Sequence, residues 1–236
     1  APTDQRSAAT PLERDAISGT IAPAGDQDWY KVTVASETKQ LLRVDLSGLT
    51  GMDLTLALRA GLGNEISFID NMGKEQPEVM TGWGLTGGDW HLVVSEKLGK
   101  KSDSRQSYTL ARKLIPSQPG LEWEPNNSSG TVQSLKVGES VDGYFAPKGD
   151  EDWYEFNLYQ KGVVVLELTG VINAAPALTL FDQEYKELAA AAAPKSGDPV
   201  ALERELDRGT YAVRLKPADA AQNNVRDKYS FRVRAK

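Results

Sequence analysis

The chain has 236 residues with a formal net charge of −6, one histidine and no cysteine, and 40% of its residues are hydrophobic. These values are typical of a soluble globular protein with room for one large or two modest domains. The absence of cysteine excludes disulfide bonds and thiolate metal sites, and the single histidine excludes a multi-histidine zinc site. The acidic balance argues against a nucleic-acid partner. No apolar run approaches the roughly 20 residues of a membrane helix.

In chain order, the first clear strand pattern is WYKVTV at 29–34, where apolar and polar residues alternate behind the turn GDQD. The segments LLRVDLSGL at 41–49 and HLVVS at 91–95 alternate in the same way, as strands with one buried face do. Glycine-containing turn signals separate these patterns at the spacing of an all-β sandwich or barrel.

The second half of the chain repeats the first. ISGTIAPAGDQDWY at 17–30 aligns with VDGYFAPKGDEDWY at 141–154, with 8 of 14 positions identical, and SYTLARK at 107–113 later matches KYSFRVR at 228–234. A repeated order with small gaps indicates a duplicated fold with loops of different length. We therefore predict an all-β protein of two tandem, jelly-roll-like β-sandwich domains, residues 1–116 and 117–236. The segment IPSQPG at 115–120 is read as the linker between them.

One segment conflicts with this pattern. The five consecutive alanines within EYKELAAAAAPKSG at 184–197 favour a helix by propensity, but the counterpart in the first copy has no helical pattern. We expect a strand or an irregular segment there, and a short helix remains an alternative.

The repeated turn allows two interpretations. Asp26 and Asp28, like their counterparts Asp150 and Asp152, can cap the turn through backbone amides, or they can hold a cation. The tryptophan that follows in each copy, Trp29 or Trp153, is expected to anchor the core of its sandwich, because a tryptophan buries a large area.

The second copy shows a longer pattern. EPNNSSGTVQSLKVGESVDGYFAPKGDEDWYEFNL is followed by LELTG, LTLFD, LDRGTYAVRL and a final YSFRV. This order resembles the bacterial pre-peptidase C-terminal domain, and the resemblance covers nearly all of both copies. It implies an extracellular β-sandwich, found on secreted peptidases and other surface proteins, and a bacterial location outside the cytoplasm: extracellular, cell-surface or periplasmic. In the first copy Pro2 stands opposite Pro125, and Ala1 replaces the glutamate expected before that proline.

The resemblance extends to the collagen-binding domains of clostridial collagenases, which hold calcium with an acidic N-terminal segment and aspartates near the aromatic strand. It implies a calcium site in the second copy, and no other cofactor, with these candidate ligands: Glu122, Glu124, Asn126, Asn127, Asp150 and Asp152. Asn127 stands where that pattern has aspartate. The first copy offers a poorer set, with Thr3 and Asp4 beside the two aspartates of its turn. The alternative is a metal-free acidic linker beside a capped turn.

No catalytic residue is predicted. A Ser-His-Asp triad would need His91, the chain contains no GxSxG nucleophile motif, and the second copy has Ala212 in place of this histidine. We expect that the protein is not an enzyme.

Two tryptophans lack aromatic counterparts in the other copy. Trp83 aligns with Arg204, and Trp123 lies just after the linker. Residues that the shared fold does not need are candidates for ligand contact or for packing of the two copies against each other.

These observations lead to two hypotheses of function. The first is a non-catalytic, exported tandem module that binds an extracellular matrix polymer, a peptide or a partner protein, as an accessory to a secreted peptidase. The second is a structural spacer or surface-lipoprotein ectodomain without a ligand, stiffened by calcium.

Overall fold

The computed structural model describes residues 5–236. The chain divides into two compact units, Ala1–Ser117 (unit 1) and Gln118–Lys236 (unit 2), one residue from the boundary that the sequence indicates. Both units are built from β-strands, and a 3-10 turn at Arg6–Ala8 precedes them in the described part of the chain. Within the described residues, no helix has the length and apolar character that crossing a membrane requires.

Unit 1 forms one sheet with the order β2-β7-β3-β6-β4-β5, and β1 pairs parallel to β3 beside it. Its strands β3 and β6 are 20 and 19 residues long, and the pairing register between them shifts after Val34. The strands are β1 (Thr10–Pro11), β2 (Ala16–Gly19), β3 (Gln27–Leu46), β4 (Leu54–Arg59), β5 (Glu65–Ile69), β6 (Glu78–Glu96) and β7 (Tyr108–Pro116).

Unit 2 forms two sheets, one with the order β13-β12-β15-β10-β8 and one with the order β14-β11-β16-β9. Its strands are β8 (Gln133–Ser134), β9 (Ser140–Phe145), β10 (Asp152–Leu158), β11 (Gly162–Leu168), β12 (Pro176–Phe181), β13 (Glu187–Ala192), β14 (Val200–Leu206), β15 (Gly209–Pro217) and β16 (Asn224–Ala235).

The two units have the same strand connectivity. β10 and β11 correspond to the two halves of β3, and β14 and β15 to the two halves of β6. Equivalent pairs are formed: β10 lies antiparallel to β15 and parallel to β8, as β3 lies against β6 and β1. The prediction of an all-β chain with two tandem β-sandwiches is therefore confirmed. The alanine-rich segment forms the edge strand β13, because pairing with β12 outweighs the helix propensity of alanine.

A separate hydrophobic core fills each sandwich. In unit 1 it includes Tyr30, Leu42 and Tyr108, and in unit 2 it includes Tyr154 and Phe231. These side chains project inward from alternate strand positions, as the sequence pattern predicts.

The prediction that Trp29 and Trp153 anchor these cores is wrong. Each tryptophan is 8% exposed and packs in a small cluster on the outer face of its sheet, with Ala57 and Val93 around Trp29 and with Phe181 beside Trp153. The alternation of the strand was identified correctly, but its two faces were exchanged. The tyrosine that follows each tryptophan points into the core, where its hydroxyl oxygen lies within hydrogen-bond distance of that of a second buried tyrosine.

Candidate metal centre

The repeated turn has the same geometry in both units. Gly25 and Gly149 have φ angles of +84° and +82°, which favour glycine. The next residue caps the turn through its side chain: the amide of Ala22 donates to Asp26 at 2.7 Å, and the amide of Ala146 donates to Asp150 at 2.8 Å. The first aspartate of each repeat therefore has the role of the capping interpretation.

A buried pair of tyrosines lies next to this turn in each unit. The hydroxyl oxygens of Tyr30 and Tyr108 are 2.6 Å apart, and those of Tyr154 and Tyr229 are 2.7 Å apart. A glycine of the neighbouring strand, Gly19 in unit 1 and Gly143 in unit 2, makes room for each pair. A Cβ atom at Gly19 would overlap both tyrosine hydroxyl groups. No role for these tyrosines is predicted from the sequence. Their identity in both copies was the signal that marks them as part of the shared fold.

In unit 2 an extended segment crosses the end of the sandwich beside the tyrosines. The amide of Glu122 donates to the carbonyl of Asp142 at 2.9 Å, and the amide of Trp153 donates to the carbonyl of Asn126 at 2.9 Å. Since an extended chain alternates its side chains, Glu122, Glu124 and Asn126 all turn inward. Their exposed fractions are 3%, 0% and 0%.

Three carboxylates meet where this segment faces β10. Glu122, Glu124 and Asp152 each have a carboxylate oxygen within 4.8 Å of the other two. The carboxylate of Glu122 accepts hydrogen bonds from the Tyr229 hydroxyl at 2.6 Å and the Tyr144 amide at 3.0 Å. Oε1 of Glu124 and Oδ2 of Asp152 are buried and accept no hydrogen bond within the described residues. We call these three carboxylates, together with Asn126, the acidic cluster.

The amide group of Asn126 has two possible orientations within the acidic cluster. In one, its oxygen faces only other acceptors, which is favourable when a cation lies among them. In the other, its nitrogen donates to Asp152 at 3.1 Å and to Glu124 at 3.2 Å. Without a cation the second orientation satisfies the amide, and with a cation the first orientation would offer its oxygen as a ligand.

The electrostatics of the cluster disfavour three bare negative charges. Burial raises the pKa of Glu124 well above its ordinary value, and the negative charges of Asp150 and Glu122 raise it further. Burial, followed by the charges of Glu122, Asp150 and Glu124, raises the pKa of Asp152 in the same direction. Burial also raises the pKa of Glu122. No lysine or arginine in the described part of the chain forms an ion pair with these residues. The residues fit a cation, which would stabilise the ionised carboxylates.

Two of the predicted ligands have other contacts. Asn127 is exposed, and its Nδ2 donates to Oδ1 of Asp150 at 2.8 Å. Because Asp150 also caps the turn, both of its oxygens accept hydrogen bonds from the protein. Of the six predicted ligands, the structure brings four together in the acidic cluster, and it places Asp150 and Asn127 beside it as supporting residues.

The equivalent place in unit 1 has a different composition. The Tyr108 hydroxyl donates directly to Oδ2 of the buried Asp28. In the alignment that places Pro2 opposite Pro125, Ala1 stands opposite Glu124. Thr3 and Asp4, the other predicted ligands of this copy, lie outside the described residues.

His91 is 5% exposed and lies on the outer face of the sheet, with its ring 5.9 Å from that of Trp29 in an edge-on arrangement. Burial lowers its pKa, so the neutral imidazole is favoured.

The two unmatched tryptophans lie in different environments. Trp83 is 5% exposed and belongs to the core of unit 1, which leaves it almost no surface for a ligand or for the other copy. Its prediction as a displayed binding residue is corrected on this ground. Trp123 is half-buried, and its amide donates to Gln133 at 2.8 Å.

Unit 2 also has an open cleft of about 780 Å³ beside the β10–β11 hairpin. Tyr159 on this hairpin is 83% exposed. Other lining residues include Leu135, Glu155, Asn157 and Lys161.

No protein-family model matches the sequence, and a comparison with curated proteins finds no match. Among solved structures, the pre-peptidase C-terminal domain of a collagenase from Bacillus anthracis aligns with 43% of this chain and 93% of its own, with a TM-score of 0.37 and 12% identity. A putative secreted protein from Eubacterium rectale aligns with 98% of this chain and 80% of its own, with a TM-score of 0.32 and 7% identity. The tandem CBM22 domains of Paenibacillus barcinonensis align with 94% of this chain and 87% of theirs, with a TM-score of 0.26 and 11% identity. These are distant similarities of β-sandwich structure.

Proposed function

We propose that this chain is a non-catalytic, exported binding module in which calcium fastens the first segment of unit 2 to its sandwich. The observation that carries this proposal is the acidic cluster: three buried carboxylates within 4.8 Å of one another, without a basic partner in the described residues. Such a set is costly as bare charges and favourable around a cation.

The chemistry of the ligands favours calcium among the common metal ions. Every side chain in the cluster offers oxygen, which selects hard cations rather than zinc or copper. Calcium usually takes about six to eight oxygen ligands in flexible geometry, whereas magnesium keeps several of its waters. Because the cluster residues are 0–3% exposed, they lie away from bulk water, and a bound cation would take most of its ligands from the protein.

The bound cation would have a structural role. It would neutralise Glu122 and Glu124 on the entering segment together with Asp152 on β10, and so hold the two elements together. The site is enclosed, so a substrate would not reach these carboxylates. The same holds for His91, which is packed against Trp29. This enclosure supports the absence of catalysis.

The proposed ligand side is the cleft beside Tyr159. An exposed aromatic ring with neighbouring amide, carboxylate and ammonium groups suits an extracellular polymer or a protein segment. Export is proposed from the motifs shared with the pre-peptidase C-terminal domain.

The cation is tested by thermal unfolding of the full chain in millimolar calcium and in excess chelator. A ligand bound only by the folded state raises stability by mass action, so we expect chelator to lower the unfolding midpoint of unit 2 by on the order of 10 °C. Hydrogen exchange of peptides from each unit assigns the transitions. Glu124→Gln is expected to remove the calcium effect, and the control Glu155→Gln, on a half-buried surface acid of the same unit, is expected to keep it. Identical midpoints with calcium and with chelator would overturn the calcium proposal.

The ligand is tested by pull-down on collagen, chitin, cellulose and peptidoglycan. We expect retention on one of these polymers that Tyr159→Ala abolishes. The control Ile172→Ala, at another exposed apolar residue of unit 2, is expected to keep it. Absence of retention on all four polymers, with no captured protein, would favour the calcium-stiffened spacer instead.

A further inference from the structure

Of the five large apolar side chains that are exposed in the described part of unit 1, four lie around its edge strand β5, and the fifth is Leu98. Leu62, Ile66, Phe68 and Met72 are 85%, 40%, 49% and 46% exposed, and all four lie within the hairpin and strand at 62–72. Large contiguous patches of exposed apolar residues are uncommon on soluble monomeric proteins. Where they occur, they often mark interaction surfaces.

β5 lies at the end of its sheet. In the described part of the chain it pairs with β4 alone, so its other edge presents backbone amide and carbonyl groups to solvent. Exposed edges of this kind are usually protected by lysine, proline or inward charge. The sequence of β5, EISFI, has one charged residue, Glu65, and this residue is already paired with Arg59 at 2.9 Å.

The outer face of the sheet carries an apolar row to this open edge. The row begins at Trp29 on β3, crosses Val93 on β6 and Ala57 on β4, and ends at Phe68 on β5. Its first three members form a buried cluster, while Phe68 is half exposed at the end. In the described part of the chain, no strand beyond β5 continues this row.

The corresponding edge of unit 2 is different. β13 has the sequence ELAAAA, and its exposed positions are Glu187, Ala190 and Ala192. The two edges have the same place in the topology, so the shared fold does not require the large apolar residues of β5.

We propose that β5 is a self-association edge that pairs antiparallel with β5 of a second copy of this chain. Pairing about a two-fold axis at Ser67 places Phe68 of one copy opposite Ile66 of the other, on the same outer face. The apolar row of each copy then meets Ile66 of the other copy, so the apolar surface continues across the two-fold axis. No like charges face each other at this centre, because the single charge of each strand lies at its beginning and is neutralised within its own sheet.

Such a contact is short, so we expect a weak dimer that exchanges with the monomer. Sedimentation equilibrium of the full chain from about 10 µM to 1 mM covers the range in which interfaces this small associate. The weight-average mass is expected to rise toward twice that of one chain over this range. Phe68→Lys is expected to remain monomeric throughout, because it places two ammonium groups at the centre of the pairing. Ile66→Lys tests the opposite member of each pair in the same way.

The matched control is Ile172→Lys, which introduces the same charge at an exposed apolar residue of unit 2 and is expected to associate as the unchanged protein does. Thermal unfolding confirms that the three variants fold, since each change lies at an exposed position. Hydrogen exchange is expected to show slower exchange of 65–69 at high concentration than at low concentration, with 187–192 unchanged. A chain that stays monomeric to 1 mM, a Phe68→Lys variant that associates normally, or protection confined to other segments would each overturn the proposal.

Discussion

The two units share a turn, a glycine and a pair of buried tyrosines, and they differ in the group to which the tyrosine donates. In unit 1, Tyr108 donates to Asp28 on the strand that follows the turn. In unit 2, Tyr229 donates instead to Glu122, which comes from the entering segment. The comparison separates what the sandwich needs from what unit 2 adds.

In the described residues, unit 2 has more carboxylates beside its tyrosine pair than unit 1 has, and no lysine or arginine forms an ion pair with the acidic cluster. The described residues of unit 1 place Asp26 and Asp28 near the tyrosine pair, and Asp26 is held by the turn. In unit 2 the corresponding aspartates are Asp150 and Asp152, and two further buried carboxylates, Glu122 and Glu124, lie beside them. We infer that the capping aspartate and the tyrosine pair are structural in both units, and that a function specific to unit 2 lies where Glu122 and Glu124 join Asp152.

The largest expected effect comes from the shared glycines. Gly19→Ala and Gly143→Ala each force a methyl group against tyrosine hydroxyls, and overpacking of this kind costs about 1–3 kcal/mol. Urea unfolding followed by hydrogen exchange of each unit is expected to show that each change destabilises its own unit. Gly143→Ala also overlaps Oε1 of Glu122, so it is expected to weaken calcium binding, while Gly19→Ala leaves it unchanged. Equal calcium binding in both variants would break the comparison.

A smaller difference is expected from removing the tyrosine hydroxyls. Tyr108→Phe takes a buried donor from Asp28 and is expected to cost about 2 kcal/mol, since hydrogen bonds to charged groups are among the stronger ones. Tyr229→Phe takes a donor from Glu122, but calcium still neutralises that carboxylate, so the cost with calcium is expected to be about half as large. Urea titrations of both variants measure the two values. A greater loss for Tyr229→Phe in saturating calcium would contradict the difference between the units.

The smallest expected effect is a dependence of unit 2 on pH. The pKa values of Glu124 and Asp152 are raised in the folded state above the ordinary 4.5 and 3.8, because of burial and neighbouring negative charge. Without a cation, protonation therefore favours folding: this stability is fully present below pH about 4 and is lost as pH rises through the raised pKa values.

In chelator, unit 2 is therefore expected to unfold at a higher temperature at pH 5 than at pH 8. With calcium this order is expected to weaken or reverse, because protons compete with the cation for the same oxygens. Melting curves at the two pH values, with and without calcium, measure both trends. If calcium-free unit 2 is instead more stable at pH 8, burial and mutual repulsion do not raise the pKa values of these carboxyl groups in the folded state.

Much of the fold follows from the sequence because alternation and duplication are local signals. The repeated order of 17–30 in 141–154 gave two sandwiches, and the alternation in WYKVTV gave strands. The alternation does not say which face is the core. Trp29 is larger and more apolar than Tyr30, and both are buried, but Tyr30 is the one that enters the main core, where its hydroxyl oxygen lies 2.6 Å from that of Tyr108, 78 positions along the chain. A contact of this range is not visible in a local pattern.

The site could be predicted only in part, because some of its contacts also join residues that are far apart in the chain. The spacing of Glu122, Glu124 and Asn126 is that of one face of an extended segment, so their common direction can be read from the sequence. The roles of Asp150 and Asn127 cannot, because they depend on hydrogen bonds between distant parts of the chain. Trp83 was misread because a residue without a counterpart can still fill a core, here that of unit 1.

The central claim is that the four residues of the acidic cluster bind one calcium ion and that unit 1 does not. Isothermal titration of calcium into the metal-free full chain tests it most directly. We expect one site per chain, retained in Asp28→Asn of unit 1 and lost in Glu124→Gln of unit 2. A titration without binding, a stoichiometry of two, or unchanged binding in Glu124→Gln would contradict the account.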